Sequence, residues 1–158
     1  MSKVVGRELT PELYERLSGR EVAAHEGKII PIFTLDPAGW PHPALLSYYE
    51  VVARDSRTVD VALWKNSSTA NNLRKTGKIT LMITDRGVNY YLKARVARFD
   101  DEMEGVPQVS RIRLETEELL EDQEPNAEIT GGMTYRRQAD RQASDFALKV
   151  FHRLREAK

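Results

Sequence analysis

Apolar and polar residues alternate in several separate stretches of this chain, and a period of two is the signature of a β-strand with one buried face. Val59, Val61 and Leu63 alternate with Thr58, Asp60 and Ala62, Ile79, Leu81 and Ile83 repeat the pattern, and Val88, Tyr90, Leu92, Ala94 and Val96 extend it. Residues 29–35 (IIPIFTL) and 42–53 (HPALLSYYEVVA) are further β-rich runs. Asp36-Pro37-Ala38-Gly39 between them holds turn formers, so the pair reads as a hairpin. Asp85-Arg86-Gly87 joins two more strands, and Val109 to Leu114 supplies another. Closely spaced strands with hairpin turns, never alternating with long helices, predict a mainly β, six-stranded antiparallel barrel rather than a parallel sheet.

Helices flank and interrupt this pattern. Thr10-Pro11-Glu12 combines a capping hydroxyl, proline at the first helical position and an acidic first turn, and predicts a short helix over 10–18. Between Trp64 and Lys78 lies KNSSTANNLRKTG, in which Ser67, Ser68 and Thr69 are good caps and Gly77 a good stop. A helix near 69–76 follows. Residues 115–128 form an acidic stretch, 130–135 a glycine-containing loop, and Ala139, Ala143, Phe146, Ala147, Val150 and Leu154 mark an amphipathic helix over about 137–155. The 158 residues are expected to form one domain, with the barrel over about 22–120.

Composition removes several function classes. No apolar stretch approaches the ~18 residues that span a bilayer, and MSKVVGRELTPELYERL is too polar for a signal peptide, so a cytoplasmic protein without a membrane partner is expected. Cysteine is absent, and His25, His42 and His152 are widely separated, so neither a thiol nucleophile nor a metal site is expected. With 24 basic and 24 acidic residues, the chain offers nucleic acid no general attraction. Charge is nonetheless uneven: residues 60–100 hold eight basic groups against three acidic ones, and residues 101–128 two against ten. These patches are either solvated faces or complementary surfaces of a symmetric dimer.

The segment Lys65 to Asn72 has the most chemistry. Three hydroxyl residues at a helix start, with free backbone N–H groups and Lys65, suit a phosphate, although the same pattern serves a plain N-cap. Trp40 and Trp64 stand at strand ends, where aromatic rings either flank a planar ligand or pack. Tyr90 and Tyr91 point to opposite faces. Glu115, Glu117 and Glu118 look like paired carboxylates but suit a solvated strand edge.

In order, TLDPAGWPHPALLSYY, VDVALWKNSSTANNLRKTGKITLMI and NYYLKARVARFD resemble the flavin-binding split barrel of the pyridoxamine 5'-phosphate oxidase-like superfamily. The resemblance covers about residues 22–100, with a D-x-x-G-x-P-H hairpin at Asp36 to His42 and the N-L-R helix at Asn71 to Lys75. It implies FMN as cofactor, held in a cleft at a homodimer interface and passing electrons or hydride between a small-molecule donor and acceptor. Carried over position by position, the oxidase's Arg-x-x-x-x-Lys strand falls on His42 and Ser47, and its Ser-Arg-Lys phosphate loop on Ser67, Ser68 and Thr69. The resemblance thus places the phosphate near Lys65, Ser67, Ser68 and Thr69, with Asn72 on the following helix, and the ring near Ser47, Trp64 and Met82. Only Lys65 and His42 remain to neutralise a phosphate. The oxidase's C-terminal Arg-x-His motif is absent, and His152-Arg153 is no equivalent, so the resemblance is to a general member rather than the true oxidase. Members of the superfamily also use a deazaflavin or haem, and a barrel without a cofactor, with a stress-related role, is the alternative.

Overall fold

The alternating segments all enter one antiparallel sheet, because each can bury its apolar face only against the others. The computed structural model describes residues 1–158. Its strands are β1 (Ser2–Gly6), β2 (Ile29–Leu35), β3 (Pro41–Ser47), β4 (Val51–Ala53), β5 (Thr58–Trp64), β6 (Lys78–Asp85), β7 (Val88–Asp100) and β8 (Val109–Asp122). Helices α1 (Pro11–Leu17), α2 (Ser68–Thr76) and α3 (Arg141–Glu156) complete it, with 3-10 turns at Val22–His25 and Tyr48–Glu50. The sheet runs β3-β2-β6-β7-β8-β5-β4, with β1 added against β8. It curls into a split barrel around Ile30, Ile32, Val61, Leu81, Leu92 and Leu114, and Leu13 of α1 and Leu73 of α2 join this core.

The strand count is eight rather than six, for two physical reasons. The run 42–53 breaks after Ser47, because Glu50 Oε2 accepts from both Ser47 N (2.7 Å) and Ser47 Oγ (3.0 Å) and folds Tyr48–Glu50 into a turn. Such local side-chain bonds compete with the strand ladder. The other addition, β1, has no alternation to announce it: SKVVG is almost wholly exposed and is ordered by pairing with Glu121 and Leu120. The expected acidic stretch also belongs largely to β8, whose exposed carboxylates face cations across the ladder, Glu118 to Lys93 at 2.5 Å and Glu117 to Arg95 at 2.6 Å.

The helices lie close to their expected places. Thr10 caps α1 and Ser67 caps α2, each accepting a backbone N–H three residues on, and Gly77 closes α2 at φ 67°, a left-handed conformation that glycine adopts without strain. Helix α3 starts four residues later than expected, at the cap Asp140, which accepts from Gln142 N (2.9 Å) and Ala143 N (3.3 Å). Residues before it are held as a loop along β2, with Ile29 N donating to Met133 O (3.0 Å) and Tyr135 N to Gly27 O (2.7 Å).

Register sorts the two faces. Thr34 and His42 pair on the inner side, whereas Ile29, Pro31 and Leu35 of β2 stand outward opposite Ser47, Leu45 and Pro41 of β3. On the outer side of β4 and β5, α3 covers Val52 and Ala62 with Val150, Phe151 and Leu154, forming a second small core.

Candidate functional site

Strand β5 turns Leu63 inward and so turns Trp64, its last residue, outward, where the indole is 57% exposed. The Phe146 ring of α3 stacks on it, with centroids 5.4 Å apart and planes 6° from parallel. Two clefts meet at this indole. The first, of about 420 Å³, lies between outward residues of β2 and β3 (Ile29, Leu45, Ser47), Ala62 and Trp64 of β5, and Ala143, Phe146 and Ala147 of α3. Its polar groups are Ser47, Glu50, Tyr135 and Arg137.

Those polar groups are fixed by a network. Burial pushes the Glu50 carboxyl above its ordinary pKa, against the opposing pull of the Ser47 hydrogen bonds and the Arg137 charge. Arg137 donates through Nε to Glu26 Oε1 (3.1 Å) and through Nη2 to the Tyr135 hydroxyl (3.1 Å), and its guanidinium lies 5.4 Å from the centroid of the Tyr49 ring. Tyr135 in turn donates to Glu26 Oε1 (3.3 Å). At Glu26 burial, which alone would raise the pKa, is outweighed by hydrogen bonds from Tyr49 and Arg137, and the carboxyl lies below its ordinary value. The Tyr49 hydroxyl is pushed up to about 12 by burial and by this bond to a carboxylate, so it remains protonated.

The second cleft, of about 650 Å³, is lined by Trp64, Lys65, Asn66, Ser67, Pro107 and Gln108. Its loop is braced: Lys65 N donates to Gln108 O (3.0 Å), and Arg74 Nη2 donates to Lys65 O (3.0 Å) and Asp101 Oδ1 (2.8 Å). Lys65 Nζ is already paired with Glu102 Oε1 at 2.6 Å. Ser67 Oγ accepts from Ala70 N (3.1 Å) and keeps its own proton available to donate.

The structure therefore brings Ser47, Trp64, Lys65 and Ser67 to adjoining clefts, with Ser68 exposed at the same helix start. The other expected residues lie elsewhere. Thr69 is buried, and so is Asn72, whose Nδ2 donates to Thr34 Oγ1 (3.1 Å) and ties α2 to β2. His42 stands beside Thr34 on the inner side of β3, and Met82 lies on β6 opposite Tyr91; neither lines these two clefts. Trp40 is 70% exposed in the β2–β3 turn and does not reach Trp64's clefts. Tyr90 joins the core, while the Tyr91 hydroxyl donates to Asp122 (2.9 Å).

Glu50, Tyr135 and Arg137 were not read from the sequence. Glu50 had a signal, because Ser47-Tyr48-Tyr49-Glu50 has the spacing of a capping box. Arg137 had none, since only the packing of the 130–137 loop against β2 brings it to Glu50.

No protein-family model matches the chain. Over 125 residues it is 27% identical to the uncharacterized protein YclD of Bacillus subtilis (strain 168), covering 79% of this chain and 81% of that one. Among solved structures, a candidate pyridoxamine 5'-phosphate oxidase from Lactobacillus delbrueckii is similar with a TM-score of 0.55 and 19% identity, over 75% of this chain and 98% of that one. HupZ of Group A Streptococcus is similar with a TM-score of 0.56 and 16% identity, over 72% and 99%. An F420 reductase is similar with a TM-score of 0.53 and 12% identity, over 70% and 98%. These likenesses show the fold alone: the chain shares a split barrel with these proteins.

Proposed function

We propose that this protein is a flavoprotein oxidoreductase, a homodimer that holds FMN beside Trp64 and passes electrons between a small-molecule donor and acceptor. The observation that carries this reading is the meeting of two chemically different clefts at one indole, an apolar one with flat aromatic walls and a polar one at the start of α2. Two of the fold's relatives bear names of redox enzymes, an F420 reductase and a candidate pyridoxamine 5'-phosphate oxidase, which supports the class.

The residues present suit such a group in part. A volume of about 420 Å³ falls in the ~300–1,000 Å³ range of small-molecule sites, and its walls favour a planar ring. For the phosphate, Lys65, the Ser67 hydroxyl and Ser68 stand at the positive end of α2. Bound FMN would supply the electron chemistry, and the chain would hold the ring, exclude water and set the local field. Lys65 would have to exchange Glu102 for phosphate.

Titration of FMN against the purified protein, read by flavin fluorescence, tests the reading. Replacing Lys65 and Ser67 together by alanine is expected to weaken binding by roughly 2–4 kcal/mol, the loss of two hydrogen bonds to a charged group. Equal affinity in wild type and variant, or no binding to either, overturns it. The Lys65–Glu102 ion pair favours a second reading, in which the barrel takes a ligand without phosphate, a deazaflavin or haem, or none, because no uncompensated cation waits in the loop. A wild type that leaves FMN unbound would establish that reading instead.

A further inference from the structure

On the lining of the apolar cleft, two side chains of opposite charge each keep one polar group uncommitted. Glu50 Oε2 takes both Ser47 bonds, and Oε1 has no protein partner although the residue lines the cleft. Arg137 spends Nε on Glu26 and Nη2 on Tyr135, which leaves Nη1 without a partner on the same lining. We propose that Glu50 and Arg137 together recognise the donor–acceptor edge of a neutral planar heterocycle, a cyclic imide or ureide whose ring N–H lies beside a carbonyl. The inference deepens the reading above, since it concerns the ring seat of the same site.

Charge decides the class of ligand. An ammonium group drawn to Glu50 meets the Arg137 guanidinium, and a carboxylate drawn to Arg137 meets Glu50. A neutral edge with one donor and one acceptor satisfies both: the ring N–H donates to Oε1, and the carbonyl accepts from Nη1. A hydrogen bond to a charged acceptor set in a largely apolar wall is stronger than one to a neutral group, which makes this bond selective. Burial, which raises the pKa of Glu50, marks the same desolvation. The body of the ligand must be flat and largely apolar, because the rest of the wall is Leu45, Ala62, Trp64 and Phe146. Helix α3 supplies Phe146, and the network through Glu26 and Tyr135 holds the guanidinium in place.

The test uses lumichrome, a three-ring imide with no phosphate or sugar chain, and its N1,N3-dimethyl derivative, in which both ring N–H groups are gone, titrated against the full chain by tryptophan fluorescence. Wild type is expected to bind lumichrome and to bind the methylated ring roughly 10–100-fold more weakly, the worth of one hydrogen bond to a charged acceptor. Glu50→Ala should abolish that discrimination. Arg137→Met should weaken both rings and preserve the ratio between them. If Glu50→Ala fails to fold, the two-ligand comparison in wild type and Arg137→Met still decides. Equal binding of both rings by wild type, or no binding of lumichrome, overturns the proposal. FMN binding that depends on Lys65 and Ser67 but ignores Glu50 and Arg137 also overturns it, and leaves the flavin reading standing. Lumichrome binding with the expected discrimination, in a protein that does not bind FMN, does the reverse.

Discussion

Glu50 is a carboxyl held where its charge is costly, and that cost has a pH dependence. Burial raises its pKa, and the Ser47 hydrogen bonds reduce the rise without cancelling it. A group whose folded pKa is raised contributes fully below its unfolded value, here the ordinary glutamate value of ~4.3, and loses that contribution as pH climbs through the folded value. Glu50→Gln cannot ionise and still offers Ser47 an amide oxygen, so its urea-unfolding free energy should fall less steeply than that of wild type upward from that pH. Parallel profiles would contradict the assignment. Asn72 teaches the complementary lesson. In sequence it is a polar residue on a short helix beside a hydroxyl cluster, and the family resemblance makes it a ligand contact. Its hydrogen bond goes instead to Thr34, a partner 38 positions away that no local pattern announces.

Helix α3 was legible as an element but not in its attachments. Its 3.6-residue periodicity follows from Val150 and Leu154, which must bury their side chains, whereas its start depends on Asp140, one of several polar residues able to cap. What fixes its far end is Arg54. Nη1 donates to Arg155 O (2.9 Å) and Leu154 O (3.4 Å), Nη2 reaches Ala157 O, and Nε lies 3.7 Å from Asp60. A guanidinium among the free carbonyls of a helix C-terminus satisfies acceptors that the helix leaves open and meets the negative end of its dipole. Asp60, fully buried, is oriented for this by Arg113, which donates at 2.8 and 3.0 Å. Arg54→Met keeps the aliphatic stem and removes the donors. It should cost about 1–3 kcal/mol, with amide exchange rising at 150–157 while β7 and β8 stay protected. Unchanged protection at the helix end would show that packing alone holds it.

Across the whole molecule, the barrel was legible because burying one face of each strand forces period-two alternation, and the six alternating or β-rich runs all appear in the sheet. The sheet's outer face was less so, since exposed positions obey no comparable rule. That face carries a cleft of about 810 Å³ whose lining includes Val4, Phe33, Leu35, Lys93, Arg95, Glu117 and Glu118. Val4 and Leu35 are 60% and 42% exposed there, beside cations and carboxylates of the same surface. A two-fold contact sets one patch against its own copy, so a patch with apolar residues and both signs of charge can be complementary to itself. If a second copy covers this face, sedimentation equilibrium should give twice the 18.0 kDa chain mass. Val4→Asp with Leu35→Asp should return a single-chain mass. Since both side chains already meet solvent, each substitution should change the stability of the isolated fold by no more than about 0.5 kcal/mol, and circular dichroism should be unchanged. A wild type that sediments as a single chain, or a double variant that remains dimeric, would rule this face out as the contact.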